Sequence, residues 1–282
     1  MGKVKHSIEL IRKAEKLALS YNEFGFHLAF SGGKDSQVIY ELAKMAGVKF
    51  KPVMSITTID PPELMRFIRE NYPDLSFIRP EINFYDLIVK KKALPTRKMR
   101  FCCEYLKEQA GANAVVITGI RKAESNRRKK RNEMEVSNHK YSDTLDQFNI
   151  DFESKTLCVN GKDKIILNPI INWSDMDVWR FIRNNKIKYC KLYDEGYKRI
   201  GCIFCPMGSK KQKVKDRMRY PKIEAKIKEC IAKLTMLNNY GNTLNCDVDD
   251  IFEWWVSNDT IAQYKANKLQ YTIEYAEQIS EY

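Results

Sequence analysis

The chain has 282 residues, 44% of them hydrophobic and 30% charged, with 12 glycines and 9 prolines. That is enough apolar material for one large domain, or one domain with a helical addition, and it excludes disordered, collagen-like and linker-dominated chains. Lysine and arginine number 49 against 36 aspartates and glutamates, and the formal charge of +13 points to a polyanionic partner such as a nucleotide or nucleic acid.

Met1 to Ser20 alternates lysines with apolar residues at helical spacing, which predicts an amphipathic helix. No apolar run approaches the ~18 residues of a membrane span. Phe26 to Phe30 then reads as a buried parallel strand ended by Ser31-Gly32-Gly33, followed by a helix from Ser36 to Ala46. A strand from Phe50 to Ile56, a helix begun by Pro61-Pro62 and a short strand from Leu75 to Ile78 continue the rhythm. Helices over Asn83 to Lys92 and Cys103 to Ala110 precede a strand over Ala114 to Gly119. This alternation predicts a Rossmann-like α/β fold, a mostly parallel sheet with helices on both faces. Ligands sit at the carboxyl ends of such strands, so the loops after Phe30, Ile56 and Thr118 should converge.

Farther on, alternating runs around Asn160-Gly161, from Thr156 to Leu167, predict a tight hairpin. Ser174-Asp175-Met176-Asp177 caps a helix through Trp179, Phe181 and Ile182. The chain from about Val214 onward reads as helical, with a turn at Asn238 to Asn242 and Trp254-Trp255 on a packed helix. The expected organisation is a domain over residues 1–206 and a helical extension over 207–282.

The charge is uneven. Ile120 to Lys140 carries eight basic and three acidic residues, and Met207 to Lys228 nine basic and two acidic. Asp247 to Tyr282 reverses the balance with two basic and eight acidic, so that end should face away from an anionic ligand.

Ser31-Gly32-Gly33-Lys34-Asp35-Ser36 stands between a predicted strand and a predicted helix. Two glycines let the backbone approach a phosphate, the helix N-terminus offers unpaired N–H groups, and Lys34 adds a cation. The spacing is neither a Walker loop nor a dinucleotide fingerprint.

These six residues resemble the PP-loop of the adenine-nucleotide α-hydrolase superfamily. Further along, Thr57 to Glu63, Gly119-Ile120-Arg121 with Glu124-Ser125 and Arg128, and Pro169 to Trp179 with Leu192 to Tyr197 narrow the resemblance. They are similar to the phosphoadenylyl-sulfate reductase branch, over roughly Phe26 to Met207. The resemblance implies a phosphate site at Ser31, Gly32, Gly33, Lys34, Asp35 and Ser36, with Asp60, Gly119, Arg121, Ser125 and Arg128 completing the nucleotide site. Lys34, Asp35 and Arg121 would be catalytic. ATP would be cleaved between its α and β phosphates, with Mg²⁺ balancing the pyrophosphate charge.

Eight cysteines without a signal peptide suggest reduced thiols in a cytoplasm. Cys102-Cys103 and Cys202-Ile203-Phe204-Cys205 form two tight pairs that could ligate a [4Fe–4S] cluster or a structural zinc, or act as redox thiols. Adjacent cysteines are awkward for tetrahedral zinc. The pattern resembles the cluster ligands of bacterial adenylyl-sulfate reductases, which favours iron–sulfur. Arg97, Lys98, Arg100, Lys198 and Arg199 would hold an anionic substrate nearby. Cys158, Cys190, Cys230 and Cys246 read as small apolar residues, and His6, His27 and His139 as structural or surface groups.

Sulfonucleotide reductases attack sulfur with a cysteine in a C-terminal Glu-Cys-Gly-x-His tail, whereas this sequence ends Ser280-Glu281-Tyr282. Lys34 with Asp35 also completes the ATP-type loop. Both features point to ATP, and to sulfur insertion through an adenylate, as in the sulfurtransferases that modify tRNA bases or the DNA backbone. Such an enzyme would need an adenine nucleotide, an anionic acceptor such as tRNA or DNA, and a sulfur donor protein. A sulfonucleotide reductase with an unusual thiol is the second reading, and a non-catalytic nucleotide- or nucleic-acid-binding regulator the third.

Overall fold

A computed structural model describes residues 2–107, 110–136, 164–236 and 247–268. The contacts divide the chain into two compact units. The first comprises Met1–Ile56, Pro61–Arg79 and Lys107–Gly201; the second comprises Thr57–Asp60, Pro80–Leu106 and Cys202–Tyr282.

The first unit is built on a six-stranded sheet: β1 (Phe26–Ala29), β2 (Phe50–Ser55), β3 (Ser76–Ile78), β4 (Val115–Ile117), β5 (Met134–Val136) and β6 (Ile165–Leu167). Their order is β3-β2-β1-β4-β6-β5, parallel throughout except where β5 runs against β6. The central strands are short apolar runs with Phe26, Leu28, Val115, Ile117, Ile165 and Leu167 all buried, as a sheet covered by helices requires. The chain leaves β1 toward β2 on one side and returns to β4 on the other, so the strand order reverses between β1 and β4. That reversal opens a crevice at the strands' carboxyl ends.

Helices of this unit are α1 (Gly2–Tyr21), α2 (Lys34–Ala46), α3 (Pro62–Asn71) and α6 (Asp175–Asn184). α2 packs against both α1 and α6, burying Val38, Ile39, Leu42 and Ala43 at the helical spacing read from the sequence. Burial of Val38, Ile39 and Leu42 contributes about 1.5–3 kcal/mol each relative to exposure. α6 starts with a reciprocal cap, Ser174 accepting from the Asp177 N–H and Asp177 from the Ser174 N–H.

The second unit holds α4 (Phe84–Lys91), α5 (Phe101–Leu106), α7 (Lys210–Arg219), α8 (Pro221–Met236) and α9 (Val248–Ser257). α8 packs on α4 and on α9. Its core joins Leu87, Ile88, Ile203, Phe204, Ile231 and Phe252. Trp254 and Trp255 are both buried, their indole N–H groups given to the Asp259 and Pro95 carbonyls.

Several boundaries differ from those expected. β4 spans three residues rather than six, because its flanks turn into loops. β5 is a three-residue edge strand inside the basic segment, with too few residues to show alternation. The hairpin at Asn160-Gly161 and the turn at Asn238 to Asn242 lie outside the described residues.

Candidate functional site

The glycine turn leaves β1 at Phe30 and enters α2. Gly32 has φ +70, and a Cβ there would stand 2.5 Å from Ile68 Cδ1, so both conformation and space call for glycine. Gly33 is the N-cap of α2 without a side-chain cap bond. Ser36 donates to the Gly33 carbonyl at 2.8 Å, and Ser31 donates to Ser36 at 3.3 Å, which fastens the two ends of the turn.

Around this turn the structure gathers cations and carboxylates. Lys34 is 4% exposed, its Nζ 3.4 Å from Asp35 Oδ2 and 3.2 Å from Asp175 Oδ1. Arg121, 3% exposed, donates from Nε to Asp35 at 2.6 Å and from Nη2 to Asp175 at 3.1 Å. Gly119 lies directly over Asp35, where a Cβ would meet its carbonyl carbon at 3.0 Å. The loops after β1 and β4 therefore meet as expected. The loop after β2, Thr57 to Asp60, is part of the second unit. There the Asp60 carboxylate accepts the Thr57 N–H at 2.7 Å, and the Ile59 carbonyl accepts the Ile203 N–H.

Ser125 and Arg128 stand on the short turn after Arg121. The Arg128 N–H donates to Ser125 Oγ at 3.3 Å, and its guanidinium pairs with Glu124. Burial, with the charges of Arg199 and Arg131, lowers the Arg128 pKa to about 10. The Arg128 side chain is half-buried, 29% exposed.

Two residues of this cluster were not assigned to it from the sequence. Asp175 reads there only as part of a helix cap, yet its carboxylate bridges Lys34 and Arg121. Tyr193 accepts the Lys34 backbone N–H at 2.8 Å, occupying one donor of the α2 N-terminus. Burial raises the Tyr193 pKa, so the hydroxyl stays protonated. Its ring packs edge-on against Trp179 and Tyr189. Tyr193's place within the segment Leu192 to Tyr197 was the only available signal.

Cys102 and Cys103 start α5, and Cys202 and Cys205 bracket a turn in the same unit; all four are half-buried. The turn is closed by the Cys205 N–H on the Cys202 carbonyl at 3.2 Å, with Phe204 at φ +53 giving its N–H to Asp216 at 3.0 Å. A hydrogen bond with Cys103 pushes the Cys102 thiol pKa up, reinforced by burial and by the nearby Cys202 and Cys205. Cys202 Sγ donates to Thr57 Oγ1 at 3.5 Å. Four thiols, with Cys102 near the other three, are a donor set suited to iron–sulfur or zinc. Among the described residues, however, no three Cys, His, Asp or Glu side chains form a ready metal-binding group.

Cys190 and Cys230 are buried, and His27 sits in β1, its pKa lowered to about 4 by burial and by Lys164 and Lys51. Cys158, Cys246 and His139 lie outside the described residues. A cavity of about 220 Å³ in the second unit, lined by Tyr85, Asp86, Lys226, Glu229, Cys230 and Lys233 among others, contains none of the expected site residues. No helix among the described residues is long and apolar enough to cross a membrane.

Comparison with known proteins places this arrangement. The profile of the phosphoadenosine phosphosulfate reductase domain matches residues 25–208. The chain belongs to that family.

Within this reductase-domain family, the chain is 26% identical over 231 residues to an uncharacterised protein of Methanocaldococcus jannaschii, covering 78% of this chain and 50% of that one. It spans about half the length of the Methanocaldococcus relatives it matches. An adenosine 5'-phosphosulfate reductase of Lysinibacillus sphaericus is 26% identical, over 70% of this chain and 81% of its own. Among solved structures, Candida glabrata FMN adenylyltransferase in complex with ATP is similar at 14% identity and a TM-score of 0.47, covering 71% of this chain and 60% of that one.

Proposed function

We propose that this reductase-family chain is an ATP-binding PP-loop enzyme of sulfur transfer that activates an anionic acceptor as an adenylate. The carrying observation is the convergence of Lys34, Arg121 and Asp35 at the N-terminus of α2. Backbone N–H groups, two buried cations and a carboxylate together suit a nucleotide's phosphates with an accompanying Mg²⁺.

In this reading the acceptor oxygen attacks the α-phosphate, the bond to the β-phosphate breaks, and pyrophosphate leaves with the electron pair. Lys34 and Arg121 stabilise the charge that develops on the phosphate oxygens, and Asp35 orients Arg121 and helps to hold the metal. Gly119, Ser125 and Arg128 line the nucleotide. A sulfur nucleophile from a donor protein then displaces AMP. Cys102, Cys103, Cys202 and Cys205 would hold a [4Fe–4S] cluster, which supplies sulfur-handling chemistry when bound; zinc is the alternative for the same thiols.

The family relationship to adenosine 5'-phosphosulfate reductases favours a second reading, reduction of a sulfonucleotide with release of sulfite. One anaerobic preparation separates them. Pyrophosphate release from ATP, abolished by Lys34→Ala, is expected; thiol-dependent sulfite release from adenylyl sulfate without ATP cleavage would replace the first reading with the second. Iron and acid-labile sulfide that disappear in Cys205→Ser are expected for the cluster, and a colourless, iron-free protein refutes it.

A further inference from the structure

α7 has an unusual anatomy for a helix in a folded unit. Six of its ten residues are basic and one is acidic, and its buried residues are Lys213 and Asp216, with no apolar side chain among them. A helix that buries no apolar residue adds little to the core, so its position must be fixed by polar anchors.

Those anchors are present. Lys213 donates to Asn258 Oδ1 at 2.6 Å and to the Trp255 carbonyl at 3.4 Å. Asp216 accepts the Phe204 N–H at 3.0 Å, inside the turn between Cys202 and Cys205. The segment just before α7 is held as well, by Arg97 donating to the carbonyls of Pro206 and Gly208. The helix is thus attached directly to the cysteine turn.

Its outward face combines charge with exposed apolar surface. Lys211, Val214, Lys215 and Met218 recur at helical spacing, with Val214 59% and Met218 81% exposed. Lys211 and Lys215 flank the two apolar side chains.

We infer that the outward face of α7 docks a single-stranded nucleic acid and brings it to the Cys202–Cys205 turn. Phosphates complement Lys211 and Lys215, and Val214 and Met218 pack against sugar and base faces that a duplex would keep stacked inside. The inference rests on the sulfur-transfer reading for its purpose, since it names the acceptor as unpaired RNA or DNA. Its evidence is the helix itself.

The test is fluorescence anisotropy of labelled oligonucleotides of about 12 nucleotides, RNA and DNA, single-stranded and duplex, across a salt series. Lys211→Glu with Lys215→Glu should weaken single-strand binding about tenfold or more and reduce the salt slope by about one or more. Lys13→Glu with Lys16→Glu on α1 makes the same charge change elsewhere and should leave affinity within about twofold. Equal weakening by both pairs, no single-strand binding at low salt, or equal binding to duplex each overturns the proposal. Anisotropy is read without ATP, and ATP binding, weakened by Lys34→Ala, is read by titration without nucleic acid, so either reading can fail while the other stands.

Discussion

Arg121 and Asp35, 86 positions apart in sequence, are joined by a 2.6 Å bond from guanidinium Nε to carboxylate at the strand-order reversal. Arg121 is 3% exposed, so its charge depends on Asp35 and Asp175 for compensation. Removing one partner of a buried pair strands the other. Asp35→Ala is therefore expected to cost about 3 kcal/mol in a urea melt, and Asp35→Asn, which keeps the shape, somewhat less. A loss below about 0.5 kcal/mol would show that the pair does not hold the two loops together.

Asp175 acts differently because its side chain is 64% exposed. Its carboxylate stands on the two cations that a phosphate group would engage. Asp175→Asn should barely alter stability, as expected of an exposed ion pair, yet tighten pyrophosphate binding by about 1 kcal/mol, roughly fivefold. Isothermal titration with pyrophosphate decides this. A tenfold loss of affinity would instead make Asp175 a positioning residue for Arg121.

The parts of this site that were legible in the sequence are those determined locally. Ser31 to Ser36 form a turn because Gly32 adopts a positive φ and Gly33 starts a helix, both consequences of residue type. Short apolar strands and the Ser174 cap were legible for the same reason. Asp175 and Tyr193 were not. Asp175 lies 140 positions beyond Asp35, and its second role arises only when α6 packs beside α2. The Tyr193 hydroxyl reaches the Lys34 N–H across 159 positions, a tertiary contact that has no periodicity. The grouping of Thr57–Asp60 with the helices after Pro80 is likewise long-range, formed by bonds such as Ile203 to Ile59.

His27 gives the fold a defined acid sensitivity. Its pKa is about 4 when folded and 6.5 unfolded, because burial and two lysines disfavour the charged ring. Between these values the unfolded chain binds more protons, so stability rises with pH from about 4 to about 6.5 and is constant above. Conversely, acidification through this window should remove on the order of 2–3 kcal/mol. His27→Val is expected to lack this component. Urea melts of both proteins at several pH values measure the difference, and parallel profiles would assign the acid loss to other groups.

Tyr193 connects the stability of the glycine turn to its ligand. The Lys34 N–H is one of the orphan donors of a helix start, and the Tyr193 hydroxyl now satisfies it at 2.8 Å. Tyr193→Phe keeps the ring against Trp179 and Tyr189 while deleting that acceptor. An unsatisfied N–H costs about 1–3 kcal/mol, so the variant should unfold at lower urea. A phosphate oxygen bound at the α2 N-terminus can replace the lost acceptor. The deficit should therefore shrink when the melt is repeated in saturating pyrophosphate. A deficit that stays constant would mean that the anion does not reach this N–H, and that Tyr193 and ligand occupy the turn together.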